Sequence, residues 1–189
     1  MTIPLTLEAW RRTLNLPMLR WSKTELNPLI DLLPEGAVVA ELGSFAGESA
    51  VQFLNSPKVA FLLCVDLWKG GYGGEEDVAS NADMETARLA FDVRLSAFDP
   101  CRYAVRRDST HVAARAISAL FDLVYVDADH GYEATLGDIR AWLPGVKPGG
   151  IMAGHDYGTT HGGVKLAVDE LFEGKEIGVF PDSSWWVRV

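Results

Sequence analysis

The sequence predicts an α/β domain built on a doubly wound sheet, parallel across most of its width and covered by helices on both faces. Three observations carry this. Apolar, β-branched runs alternate with segments of helical periodicity, several of those runs lead straight into acidic or His-Asp residues, and the chain closes on two strand-like runs around a tight turn. Parallel neighbours need a helix-length, right-handed crossover, which the alternation supplies. A turn-linked final pair is instead antiparallel and belongs at one sheet edge.

The 189 residues suffice for one domain that buries roughly two thirds of the surface its unfolded chain would expose. Leu7, Trp10 and Leu14 share a helical face, and Ser22 with Glu25 has capping-box spacing. Pro28 would then be interior, so the alternative is a helix capped by Asn27 with Pro28 as its first residue. Residues 1–36 therefore read as a helical cap of the same domain, whose main body is 37–189. Strands are expected at 37–42, 59–65, 121–126 and 150–154. The run 103–107 is weaker and is placed by its position between helical patterns. Segments 176–180 and 185–189 form the closing pair around Pro181-Asp182-Ser183-Ser184, and Lys147-Pro148-Gly149-Gly150 reads as a turn entering a strand.

Helical stripes run through Met84, Ala87, Phe91, Leu95 and Phe98, and through Tyr132, Leu136, Ile139 and Leu143. Another joins Val112, Ala116 and Leu120 after the caps Ser109 and Thr110, and a last one joins Val164, Val168 and Leu171. The stretch KGGYGGEED at 69–77 is a glycine-rich loop.

Seventeen Lys and Arg against 26 Asp and Glu give a formal charge of −9, which repels phosphate backbones and anionic membranes, so nucleic acid is not an expected substrate. Cys64 and Cys101 offer no disulfide framework or Cys-rich zinc site, which fits a reducing, cytoplasmic setting. No apolar run approaches the length of a membrane span, and Glu8, Arg11 and Arg12 interrupt any signal-like start. Trp185 and Trp186 alternate along the last run, one toward the core and the other toward a helix or a second chain, which permits a homodimer.

Residues 38–49, VVAELGSFAGES, read as strand, glycine turn and helix start. Gly43 and Gly47 permit close backbone approach to a ligand, the helix-start N–H groups beyond Ser44 suit an anion or carboxylate, and Glu41 suits a cationic amine or a chain of waters. Phe45 replaces the middle glycine of a dinucleotide fingerprint, which weakens a nicotinamide reading. Asp66 ends the next strand, 25 residues beyond Glu41, where a carboxylate accepts ribose hydroxyl protons; an adenosine-containing ligand follows. Asp108 with Ser109 lies where a side chain reaches an adenine edge, or where a helix needs its N-cap.

Two further strands end in Asp127-Ala128-Asp129-His130 and His155-Asp156. Carboxyl ends of neighbouring parallel strands open into one crevice, and oxygen with imidazole donors suits Mg²⁺ or another first-row divalent ion. The plain alternative is helix capping and strand termination. His111 and His161 lack acidic partners at convincing spacing and read as surface residues.

With these residues in hand, the sequence resembles class I S-adenosylmethionine-dependent methyltransferases, and more closely the branch of macrolide-sugar O-methyltransferases and cephalosporin-hydroxylase-like proteins. The resemblance rests on ELGSFAGES at 41–49, CVDLW at 64–68 and FDLVYVDADHGYEATLGDIRAWLPGVKPGGIMAGHDY at 121–157. It implies a Rossmann-like seven-stranded sheet ending in the antiparallel hairpin. Glu41, Gly43, Ser44 and Gly47 would lie by the methionine part of the donor, Asp66 by its ribose, Asp108 and Ser109 by its adenine, with Asp127 alongside. It further implies Asp127, His155 and Asp156 as metal ligands. A metal would lower the pKa of an acceptor hydroxyl, with His130 as first choice for the base and His155 as the alternative. Tyr72, Trp21, Tyr157 and the glycines of 158–163 are candidate walls for a small-molecule acceptor. Two other readings stay open: a non-catalytic S-adenosylmethionine- or nucleotide-binding module, and a cephalosporin-hydroxylase-like protein or metal-dependent hydrolase using the same acids.

Overall fold

The computed structural model describes residues 25–70, 83–118, 120–160 and 162–189. Seven strands form one sheet: β1 (Ala37–Leu42), β2 (Val59–Val65), β3 (Tyr103–Arg106), β4 (Phe121–Val126), β5 (Val146–Gly154), β6 (Gly178–Val179) and β7 (Trp185–Arg188). Their spatial order is β3-β2-β1-β4-β5-β7-β6, parallel from β3 to β5, with β7 antiparallel to both β5 and β6. The helices are α1 (Asn27–Asp31), α2 (Glu48–Asn55), α3 (Met84–Leu95), α4 (Thr110–Ala116), α5 (Tyr132–Trp142) and α6 (Gly162–Leu171).

Alternation along the strands divides the core in two. Val39, Leu62, Cys64, Leu123, Tyr125 and Ile151 face α1, α2 and α3, where Leu29, Phe53 and Phe91 are buried. Ala40, Leu63, Val124, Met152 and Val187 face the other side, against Ala113, Ile139 and Val168. Burial of such side chains contributes about 1.5–3 kcal/mol each. Trp185 and Trp186 split between these layers, Trp185 beside Phe172 and Trp186 packed on the first layer, so Trp186 serves this chain's own core.

Register is what positions the site. Leu42 pairs with both Val65 and Val126, Val65 with Arg106, Val126 with Gly154, and Gly154 with Trp185. The residues that follow β1, β2, β3, β4 and β5, and those preceding β7, therefore emerge along one rim.

The structure corrects several expectations. The short α1 has Leu26 at its N-cap position and Pro28 within its first two residues, so Asn27 is a helix residue and not the cap; Ser22 lies outside the described residues, as do Leu7, Trp10 and Leu14. Strand β5 begins at Val146 and absorbs the Lys-Pro-Gly-Gly segment. Helix α3 ends before Phe98. Helix α4 buries Ala113, while Val112 is 49% exposed and Leu120, beyond the helix end at Ala116, is 50% exposed, so the expected stripe is not the buried face. Ser109 does cap α4, its hydroxyl accepting from Val112 N at 3.3 Å.

His111 does have an acidic partner. Its Nδ1 lies 3.4 Å from Asp138 Oδ1, and Thr110 Oγ1 donates to the same carboxylate. Burial pushes Asp138 up to about 6, against the lowering effect of Thr110 and His111. A carboxyl whose folded pKa is raised contributes stability below its unfolded value, near 4, and that contribution is lost as pH rises through about 6. The Asp138→Asn variant, neutral throughout, should thus gain thermal stability relative to wild type between pH 4.5 and 7; a pH-independent difference in midpoint would refute this.

Candidate active site

The glycine turn after β1 alternates into left-handed backbone, with φ of 87° at Gly43, 42° at Phe45 and 87° at Gly47. Its two glycines are demanded by the chain itself. A Cβ on Gly43 would lie 2.0 Å from the carbonyl oxygen of Asp127, and one on Gly47 would lie 3.1 Å from the Phe91 ring. The close approach expected toward a ligand is, on that side of both residues, an approach to protein.

Glu41 is fully buried at the end of β1, and Ser44 Oγ donates to its Oε2 at 2.5 Å. The other oxygen, Oε1, has no hydrogen-bond partner among the described residues. Desolvation raises its pKa to about 7, the Asp127 charge adding to the rise while Ser44, Ser49 and Cys64 pull the other way. An unpaired buried carboxylate oxygen is costly, and a cationic N–H donor would relieve it. Asp66 is already engaged: Phe45 N donates to its Oδ2 at 2.8 Å and Trp68 N to its Oδ1 at 2.6 Å. Burial raises its pKa, and these amide bonds oppose the rise. The Ser44 amide also bonds this carboxylate, so three backbone N–H groups leave it acceptor capacity for one further hydroxyl. Asp108 pairs with Arg106 Nη2 at 3.1 Å, next to the cap residue Ser109.

Beside this turn, across the Gly43–Asp127 contact, stands the second constellation. His130 Nε2 lies 3.2 Å from Asp156 Oδ2 and 3.6 Å from Asp127 Oδ1, and ligand atoms of Asp127, His130 and Asp156 all fall within 4.8 Å of one another. Two carboxylates and an imidazole form a donor set that fits a hard or borderline divalent ion. The histidine that completes the trio is His130, where His155 was expected. Asp156 sits at φ 63°, a conformation an aspartate tolerates and most residues do not, and His155 Nδ1 lies 3.4 Å from Asp156 Oδ1. Burial works against charging His155, but the bond to Asp156 and the charges of Asp127, Asp156 and Asp182 outweigh it and raise its pKa to about 9. His130, the first choice for the base, lies within 3.6 Å of both acids.

Asp129 is a turn residue, its Oδ1 accepting from Gly131 N at 2.8 Å. Tyr157 donates to Asp169 Oδ1 at 2.6 Å, with Lys165 over its ring. Trp21, Tyr72 and His161 lie outside the described residues. The turn before β7 adds residues that sequence reasoning missed: Asp182 accepts from Glu25 N and Ser184 N, each at 3.0 Å, and Ser184 Oγ is 3.5 Å from the buried Tyr125 hydroxyl. Their only signal in sequence was the Pro-Asp-Ser-Ser turn.

A seven-stranded sheet of this order, with a glycine turn and acidic residues on its carboxyl rim, is a doubly wound fold whose ligand crevice lies at the carboxyl ends of its strands. The profile of a family described as methyltransferase domain matches residues 40–157, and the chain belongs to that family. It is an S-adenosylmethionine-dependent methyltransferase. Among solved structures it is similar to CalS11, a calicheamicin methyltransferase, at 14% identity and TM-score 0.62, covering 85% of this chain and 74% of that one. Cofactor-bound Rv0187 from MTB matches at 14% identity and TM-score 0.65, covering 96% and 86%. A Streptococcus mutans protein in complex with SAH matches at 15% identity and TM-score 0.57, covering 85% and 93%. No curated protein matches the sequence.

Proposed function

We propose that this enzyme methylates a hydroxyl of a small molecule, a sugar, phenol or secondary metabolite, with help from a divalent cation. One observation carries the reading: the Gly43–Asp127 contact joins the donor turn to the acid–imidazole cluster, so that donor and acceptor groups meet at one rim. Glu41 would take the donor's ammonium, Asp66 its ribose hydroxyls, and Asp108 with Ser109 its adenine side. S-adenosylmethionine supplies an electrophilic methyl group. A cation held by Asp127, His130 and Asp156 would lower the pKa of the acceptor hydroxyl and neutralise the two acids. Without one, His130 Nε2 is the atom placed to accept the hydroxyl proton, its cationic form stabilised by the flanking carboxylates. The charge of −9 and the acidic rim favour such an acceptor over nucleic acid. The apo form of CalS11 is described as a TDP-rhamnose 3'-O-methyltransferase, which supports a sugar hydroxyl. Two free cysteines, one buried and one exposed, are in keeping with a cytoplasmic enzyme. Among the described residues no helix is long and apolar enough to cross a membrane.

Calorimetry with SAH, followed by methyl transfer to a panel of hydroxylated acceptors with and without chelator, tests this. No SAH binding overturns the donor assignment, whereas activity that survives chelation overturns the cation alone. The state of Glu41 gives a second readout. With a pKa of about 7 it is largely protonated at pH 6.5, and an arriving ammonium favours the carboxylate, so donor binding should release a proton. Binding enthalpies in buffers of different ionisation heat will show the release in wild type and its absence in Glu41→Gln.

A further inference from the structure

We propose that Trp68 and Arg94 are positioning residues for the donor, clamping the Phe45–Ala46 backbone of the glycine turn from behind and so setting donor affinity without contacting the donor. The inference rests on the donor reading above. Phe45 adopts φ 42°, a left-handed conformation that a bulky side chain leaves unless it is held. Three groups hold it. Asp66 accepts the Phe45 N–H at 2.8 Å, and Trp68 Nε1 donates to the Phe45 carbonyl at 2.8 Å. The Arg94 guanidinium donates to the Ala46 carbonyl and pairs with Glu48 Oε1 at 2.6 Å, in the first residue of α2.

The clamp is itself buried and braced. Trp68 is 5% exposed, stands at φ 45°, and tilts against Phe91 with ring centroids 5.0 Å apart. The Arg94 side chain is 11% exposed. Phe91 and Leu95, on the same helix as Arg94, also fill the space behind Gly47. A trans peptide carries its N–H opposite its C=O. Holding the Phe45 and Ala46 carbonyls against Trp68 and Arg94 therefore fixes which way the Ala46 and Gly47 amides face. Gly47 N accordingly donates to Ser44 O at 2.7 Å. If the Phe45–Ala46 peptide turned over, its carbonyl oxygen would stand where the Ala46 amide stands now, and the turn would present the wrong dipole to the donor's carboxylate.

The test compares Trp68→Phe, which keeps an aromatic ring, smaller than the indole, and removes the N–H, with Arg94→Met and Arg94→Lys. SAH dissociation constants by calorimetry should rise about ten-fold for Trp68→Phe and for Arg94→Met, the equivalent of one buried hydrogen bond each. Arg94→Lys, which keeps one donor, should recover part of the loss. Acceptor KM should stay at the wild-type value. Phe91→Leu loosens the same packing but leaves the three bonds in place, and should lower the melting temperature while SAH affinity holds. Wild-type SAH affinity in folded Trp68→Phe and Arg94→Met overturns the clamp, as does an equal loss in Phe91→Leu. Failure of the wild type itself to bind SAH overturns the donor reading instead.

Discussion

Asp127→Asn and Asp156→Asn should each lower kcat by roughly 10²–10⁴-fold while leaving SAH affinity at its wild-type value. Both side chains face the imidazole of His130, at 3.6 and 3.2 Å. An amide keeps the volume of the acid and removes the charge that would hold a cation or stabilise a protonated His130. His130→Gln should behave alike, because on the proposed function it removes the third donor and the proton acceptor together. Stopped assays with saturating donor and direct SAH titration will separate the two effects. If either Asn variant lost SAH affinity in proportion to turnover, the acids would belong to the donor site and the division of labour along the rim would be wrong.

How far this could be read in advance follows from what each feature depends on. Strand positions and the shared rim were legible because parallel pairing leaves few registers: an apolar run ending in Glu-Leu-Gly, another in Val-Asp and a third in Val-Asp-Ala-Asp have to align where burial stops. The sequence put His155 with Asp127 and Asp156, whereas the structure brings His130 to them, a grouping across two strand ends that local sequence does not specify. Nor was Asp182 visible as a neighbour of the site. It reaches the rim only because β7 returns antiparallel to β5 and begins beside Gly154. The His111–Asp138 pair joins two helices 27 residues apart in sequence, a tertiary contact with no local trace. Asp66 was placed correctly at a strand end, yet its two bonds to the Phe45 and Trp68 amides depend on the conformation of two loops at once.

The largest effect on stability is expected at Gly43. Gly43→Ala places a methyl group 2.0 Å from Asp127 O, 2.6 Å from its carbonyl carbon and 2.7 Å from Ala128 Cα, all backbone atoms. Neither side can yield easily: Gly43 N bonds Val65 O and Asp127 N bonds Leu42 O, each at 2.8 Å, so the two segments are locked by the sheet's own ladder. The φ of 87° adds strain that an L side chain carries anywhere in that region. Overpacking against backbone and left-handed strain together cost about 3–5 kcal/mol, a large share of the roughly 5–15 kcal/mol by which a domain is stable. Gly47→Ala is the internal control. It meets the same φ, but its new methyl faces the Phe91 ring at 3.1 Å, a side chain able to move, so the cost should stay near 1–3 kcal/mol. Thermal unfolding of the pair decides the matter: Gly43→Ala should melt far below Gly47→Ala, and a Gly43→Ala midpoint within about 2 °C of wild type would mean that the donor turn and the Asp127 strand end are not in contact. In that case the common rim, on which both the donor and the acceptor assignments depend, would lose its physical basis.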